Sequence, residues 1–154
     1  MTAEIGSPAP PFEMQTDTGS VSLAALAGKT VVLYFYPKDD TPGCTNEGKD
    51  FSALKSDFEK AGAVVIGASK DSVKAHAKFR GKYDLTVELG SDPEGQVIEA
   101  YGSWVEKSLY GRQYMGIERS TYLIDGKGVV RAIWRKVKVA GHAAAVLTAV
   151  QALP

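Results

Sequence analysis

The chain has one cysteine, Cys44, in the run Tyr36-Pro37-Lys38-Asp39-Asp40-Thr41-Pro42-Gly43-Cys44-Thr45-Asn46-Glu47-Gly48. These residue types at this spacing suit nucleophilic sulfur chemistry. Thr41 is an N-cap candidate and Pro42 fits the first helical position, where a missing N–H removes nothing. Cys44 then falls at the third helical position, and its own N–H lacks an intrahelical acceptor. The positive end of the helix dipole favours a thiolate over a thiol there. The free N–H groups of that turn can also hold a developing negative oxygen, which cleavage of a peroxide O–O bond generates. Thr41 can donate to or accept from the same oxygens, and attack leaves a sulfenic acid on sulfur. A free cysteine is more often a small buried hydrophobe, but Thr-Pro-Gly-Cys-Thr has no apolar periodicity to account for one.

Such a cysteine must be held by a strand end and a helix start. Thr30–Tyr36 is β-branched and aromatic without alternation, the pattern of a central strand covered on both faces, and Pro37 stops it. Helical spacing follows Pro42-Gly43, with Phe51, Leu54, Phe58 and Ala61 on one face of a single helix closed by Gly62. Ala63–Ala68 reads as a second buried strand. Asp71–Tyr83 reads as a helix capped by Ser69 or Asp71. A short strand near Val87–Leu89 and a short helix from Asp92-Pro93 to Tyr101 come next. Ser120–Ile124 and Val129–Trp134 form a hairpin across Asp125-Gly126-Lys127-Gly128, and His142–Ala152 is a closing helix. Upstream, Pro8, Pro10 and Pro11 give an extended start. A hairpin turns at Asp17-Thr18-Gly19, and a helical turn at Ser22–Leu26 ends at Gly28. Alternating strands and helices with a terminal hairpin predict an α/β chain with a mixed central sheet flanked by helices, and a thioredoxin-like fold fits that order.

At 154 residues the chain is the size of one domain, residues 1–154, with no repeat or linker. Eighteen basic residues balance eighteen acidic ones, so no net field attracts nucleic acid or acidic lipid. The longest apolar runs are too short for a bilayer, and MTAEIGSPAPPF lacks the basic and apolar regions of a secretory signal. A single cysteine excludes an internal disulfide and fits a reducing compartment, which reads as cytoplasmic. His76 and His142 each stand alone, without ligand spacing for a metal. Asp39-Asp40 reads as a solvated loop, and Glu47 as a helix-surface or supporting residue rather than a general base. Tyr101, Trp104, Tyr110 and Tyr114 mark an aromatic-rich loop region, either packed or an interaction surface.

The segment Pro37-x-x-x-Thr41-x-x-Cys44 resembles the active-site signature of the peroxiredoxins, and Tyr36–Asp39 with Thr41–Thr45 is most similar to their bacterioferritin-comigratory-protein, or PrxQ, branch. Trp104–Lys107, Tyr110-Gly111, Tyr114–Ile117 and Arg119–Asp125 resemble that branch's second half, so the likeness runs over about residues 4 to 152. It implies that Cys44 is the peroxidatic cysteine, that Thr41 hydrogen-bonds the peroxide, that Pro37 shields the thiolate from water, and that Arg119 holds the thiolate and orients the peroxide. A fixed guanidinium suits both tasks of Arg119. The substrates implied are hydrogen peroxide and alkyl hydroperoxides, with no metal, haem or flavin cofactor.

The chain departs from that branch at the resolving cysteine. Where many members carry it, five residues after the peroxidatic one, this chain has Lys49, and the helix near Lys74–Tyr83 that carries it in others has none. Two readings of that absence stand: a one-cysteine mechanism, or a cysteine replaced in this chain. On the first, the Cys44 sulfenic acid is reduced by an outside thiol (thioredoxin, glutaredoxin or a small thiol) or through an intermolecular disulfide. The implied state is a monomer, with a disulfide-linked dimer as the alternative. Two alternative functions are a thioltransferase, disfavoured because Cys-x-x-Cys is missing, and a binding domain in which Cys44 is inert.

Overall fold

The computed structural model describes residues 3–154. Seven strands form one mixed sheet: β1 (Glu13–Thr16), β2 (Gly19–Ser22), β3 (Thr30–Phe35), β4 (Ala63–Ser69), β5 (Glu88–Ser91), β8 (Ser120–Ile124) and β9 (Val130–Trp134), in the order β2-β1-β5-β4-β3-β8-β9. β3, β4 and β5 run parallel, while β8 lies antiparallel to β3 and β9 antiparallel to β8. Five α-helices accompany them: α1 (Pro42–Ala53), α2 (Lys55–Lys60), α3 (Val73–Tyr83), α4 (Gln96–Ala100) and α5 (His142–Gln151). None is long and apolar enough to cross a membrane.

The unbroken apolar run of β3 follows from burial on both faces. Val31, Leu33 and Phe35 enter one core with Phe12, Ile98, Tyr101 and Tyr122, while Val32, Tyr34 and Tyr36 enter the other with Phe51, Phe58, Phe79 and Val146. The second core is roofed by α1, α2, α3 and α5, and Cys44 belongs to it.

Three local readings change. The helix predicted from Pro42 to Ala61 breaks at Leu54 into α1 and α2. Here the Ser52 hydroxyl accepts from the Thr86 N–H (3.0 Å) and the Ser52 carbonyl accepts from the Thr86 hydroxyl (3.4 Å), a pull from outside the helix that its periodicity does not carry. The cap of α3 is Ser72, which accepts from the Ala75 N–H, because Ser69 and Asp71 are engaged with each other. The aromatic-rich region is a separate hairpin, β6 (Trp104–Leu109) and β7 (Arg112–Ile117). It turns at Tyr110-Gly111, both at positive φ (53° and 75°), the conformation of a primed turn.

Candidate active site

Cys44 lies at the third position of α1 and is 2% exposed. Pro42 opens the helix after Thr41, as its sequence predicts. The first ladder bond runs from the Thr45 N–H to the Thr41 carbonyl at 2.8 Å, so the Gly43 and Cys44 N–H groups precede the ladder. The Thr41 side chain does not cap. Its hydroxyl donates to the Lys38 carbonyl at 2.8 Å, which leaves the lone pairs of Oγ1 to accept a proton from elsewhere.

Arg119 reaches this turn because β8 pairs with β3 in a register that sets Phe35 opposite Ser120, bringing the residue before β8 to the end of β3. Its Nη2 stands 3.4 Å from Cys44 Sγ, and its Nη1 donates to Glu47 Oε1 at 2.7 Å. A Cβ on Gly43 would meet that Nη2 at 3.0 Å, so the small residue there admits the guanidinium. Burial works against the Arg119 charge, but Glu47 and the Cys44 sulfur more than offset it and hold the guanidinium more firmly protonated.

Glu47 is not on the helix surface. Only 1% of it is exposed, and Oε2 has no hydrogen-bond partner among the described residues. Burial pushes its carboxyl up to about 7, against the opposing pull of Arg119. His142, buried against Phe51 and Trp134, hydrogen-bonds the Thr121 hydroxyl at 2.8 Å. Burial, and then the Arg119 charge, lower it to about 4, so it is neutral at pH 7.

The loop between Pro37 and Thr41 is fastened to α3 at two successive aspartates. Asp39 is buried, not solvated: Oδ2 is 2.7 Å from His76 Nδ1, Oδ1 accepts from the Tyr36 hydroxyl at 2.6 Å, and its N–H donates to Asp71. His76 is fully buried and its Nε2 meets the Gly90 carbonyl at 3.0 Å. Asp40 sits at positive φ (60°) and accepts from Lys82 and the Tyr83 hydroxyl, two bonds that lower its carboxyl below the ordinary range. Lys49 lies over the Tyr83 ring, 5.3 Å from its centroid.

Of the four residues singled out by sequence, Cys44, Thr41 and Arg119 thus meet at one turn. Pro37 lies two residues beyond the end of β3 and is itself exposed. Sequence reasoning missed the Glu47 pairing and the His76–Asp39 pair. The i, i+3 spacing of Cys44 and Glu47, which sets both on one helix face, was the signal for the first.

The AhpC/TSA family model matches residues 5–133. The chain is 54% identical to a putative peroxiredoxin bcp of Coxiella burnetii (96% of this chain, 98% of the relative) and 49% identical to peroxiredoxin Bcp of Bacillus subtilis (96% and 94%). Among solved structures it resembles a cysteine-to-serine mutant of Xylella fastidiosa PrxQ (TM-score 0.92, 38% identity, 99% and 98% covered). It also resembles the Xanthomonas campestris bacterioferritin comigratory protein, whose structures concern alkyl peroxide reduction (TM-score 0.87, 48%, 92% and 90%). The thioredoxin-like fold expected from the order of elements is shown by these likenesses.

Proposed function

The chain belongs to the AhpC/TSA family, as a peroxiredoxin of the Bcp/PrxQ branch, and we propose that Cys44 is the nucleophile of its thiol-dependent peroxidase activity. The observation that carries this is the Arg119 guanidinium, which donates to the cysteine sulfur at the start of a helix. The helix N-terminus and the guanidinium both present positive charge to the sulfur. The thiolate attacks one oxygen of hydrogen peroxide or an alkyl hydroperoxide, and the O–O bond breaks. Sulfur keeps one oxygen as sulfenic acid and the other leaves as water or alcohol after taking a proton. Arg119 Nη2 and the N–H groups of Gly43 and Cys44 donate to the oxygens as they gain charge. The Thr41 hydroxyl, its proton committed to Lys38, accepts from the peroxide O–H. Pro37 shields the turn from water. Alkyl hydroperoxides are included because the Xanthomonas campestris relative reduces alkyl peroxide.

With one cysteine in the sequence, the sulfenic acid is reduced from outside. A thiol condenses with it to a mixed disulfide and water, and a second thiol releases Cys44. Thioredoxin, glutaredoxin or a small thiol can fill that role, and the reducing cytoplasm supplies all three. The test is consumption of tert-butyl hydroperoxide with dithiothreitol. The account expects catalytic turnover by the wild type and background consumption by Cys44→Ser; equal rates would overturn it.

A further inference from the structure

Beside Arg119, on the hairpin side, lies a groove of about 310 Å³ lined by Val105, Glu106, Lys107, Glu118, Arg119, Lys136 and Val137. That volume lies at the small end of ligand sites. Arg119 is one wall and also bonds the cysteine sulfur, so the groove adjoins the reacting atom. Its charges are unevenly committed. Arg119 is paired with Glu47, but neither Lys107 nor Lys136 has an ion-pair partner among the described residues. Glu118 Oε1 is buried without a hydrogen bond and stands 3.6 Å from Arg135 Nη1. Lys136 is held at positive φ (47°) beside Val137, whose N–H donates to the Arg119 carbonyl at 3.0 Å. A non-glycine residue kept in that region marks a position fixed by its surroundings. The groove therefore offers, over two valines, two ammonium groups and one carboxylate, Glu106, that have no ion-pair partner among the described residues.

We infer that this groove binds the reductant, a small thiol carrying two carboxylates and an amine, with the carboxylates on Lys107 and Lys136 and the amine on Glu106. This rests on the peroxidase reading of Cys44. The reaction it serves forms the Cys44–S–S–R bond from the sulfenic acid and R–SH with release of water. Burial lowers Lys107, with Arg119 adding to the effect while Cys44 and Glu118 oppose it, consistent with an ammonium partly sheltered beside the site.

The test begins with protein oxidised by one equivalent of hydrogen peroxide and checked by mass for the sulfenic acid. Its decay is then timed with glutathione and with glutathione dimethyl ester, which carries the same thiol without the two carboxylates, each corrected for thiolate fraction. The groove predicts that glutathione reacts about tenfold faster or more at low salt, that the ratio falls toward one as salt rises, and that Lys107→Gln with Lys136→Gln brings it to one at low salt. Lys107→Arg with Lys136→Arg retains it, which guards against a misfolded site. Equal rates in the wild type, or a preference that survives the double glutamine variant, overturn the groove. Failure to form the sulfenic acid at all overturns the peroxidase reading instead.

Discussion

Arg119 Nη2 stands 3.4 Å from Cys44 Sγ although 75 residues separate the two in the chain. The proximity comes from sheet register: β8 pairs beside β3, and α1 begins past the end of β3. The second nitrogen of the same guanidinium is held by Glu47, so the sulfur faces a donor that is fixed in place. Arg119→Met is expected to lower the second-order rate with hydrogen peroxide by roughly 10²- to 10³-fold, the cost of removing one donor to a developing oxyanion. Arg119→Lys restores little, because one ammonium does not reproduce the fork. Stopped-flow oxidation rates check both, and a loss under threefold in Arg119→Met would contradict the role.

Thr41 gives its proton to the Lys38 carbonyl, so its contribution is a lone pair. Thr41→Ser keeps that geometry and is expected to stay within a few-fold of wild type. Thr41→Val removes the acceptor and is expected to slow peroxide oxidation by about 10²-fold, read in the same rapid-mixing experiment. Equal rates for the two variants would contradict the assignment.

Glu47 titrates at about 7 in the folded chain against an ordinary value of 4.5. A raised carboxyl means that the folded state holds the proton more tightly than the unfolded one. Its stabilising contribution is fully present below pH 4.5 and is lost as pH rises through about 7, a change on the order of 3 kcal/mol. His142 acts in the opposite sense: lowered to about 4, it contributes above its ordinary 6.5, and that is lost as pH falls toward 4. Urea unfolding of the wild type minus that of Glu47→Gln isolates the first effect. The difference is expected to decline between about pH 4.5 and 7 and to level off above, and a flat difference across that range would contradict it.

The chemistry-bearing turn and most of the sheet were legible in the sequence because both are local signals. Pro42 at the helix start, the apolar run of β3 and the Gly-containing loop between β8 and β9 each fix a short stretch. What was not legible depends on contacts between distant segments. Asp39 looks like a loop aspartate until α3 brings His76 under it, and Glu47 looks like a surface residue until β8 delivers Arg119. The β6–β7 hairpin escaped because Tyr-Gly is a weaker turn signal than Asn-Gly or Asp-Gly. Arg119 was found through resemblance. Read as a lone residue, it is an arginine at a strand start.

The His76–Asp39 pair fastens the loop that carries Thr41. His76→Leu leaves Asp39 Oδ2 buried without its imidazole partner and is expected to cost roughly 1–3 kcal/mol. Adding Asp39→Leu is expected to recover part of that loss, since the unpaired polar group goes with it. Faster hydrogen exchange at residues 38–41 of the single variant is expected as well. Strictly additive losses in urea unfolding would contradict the pairing.

The central claim is that Cys44 is the atom a peroxide oxidises, and intact mass after mixing reduced protein with one equivalent of hydrogen peroxide tests it most directly. The account predicts rapid gain of one oxygen, located at Cys44, captured by a sulfenic-acid reagent and absent from Cys44→Ser. A Cys44 that stays a thiol for minutes under peroxide would contradict it.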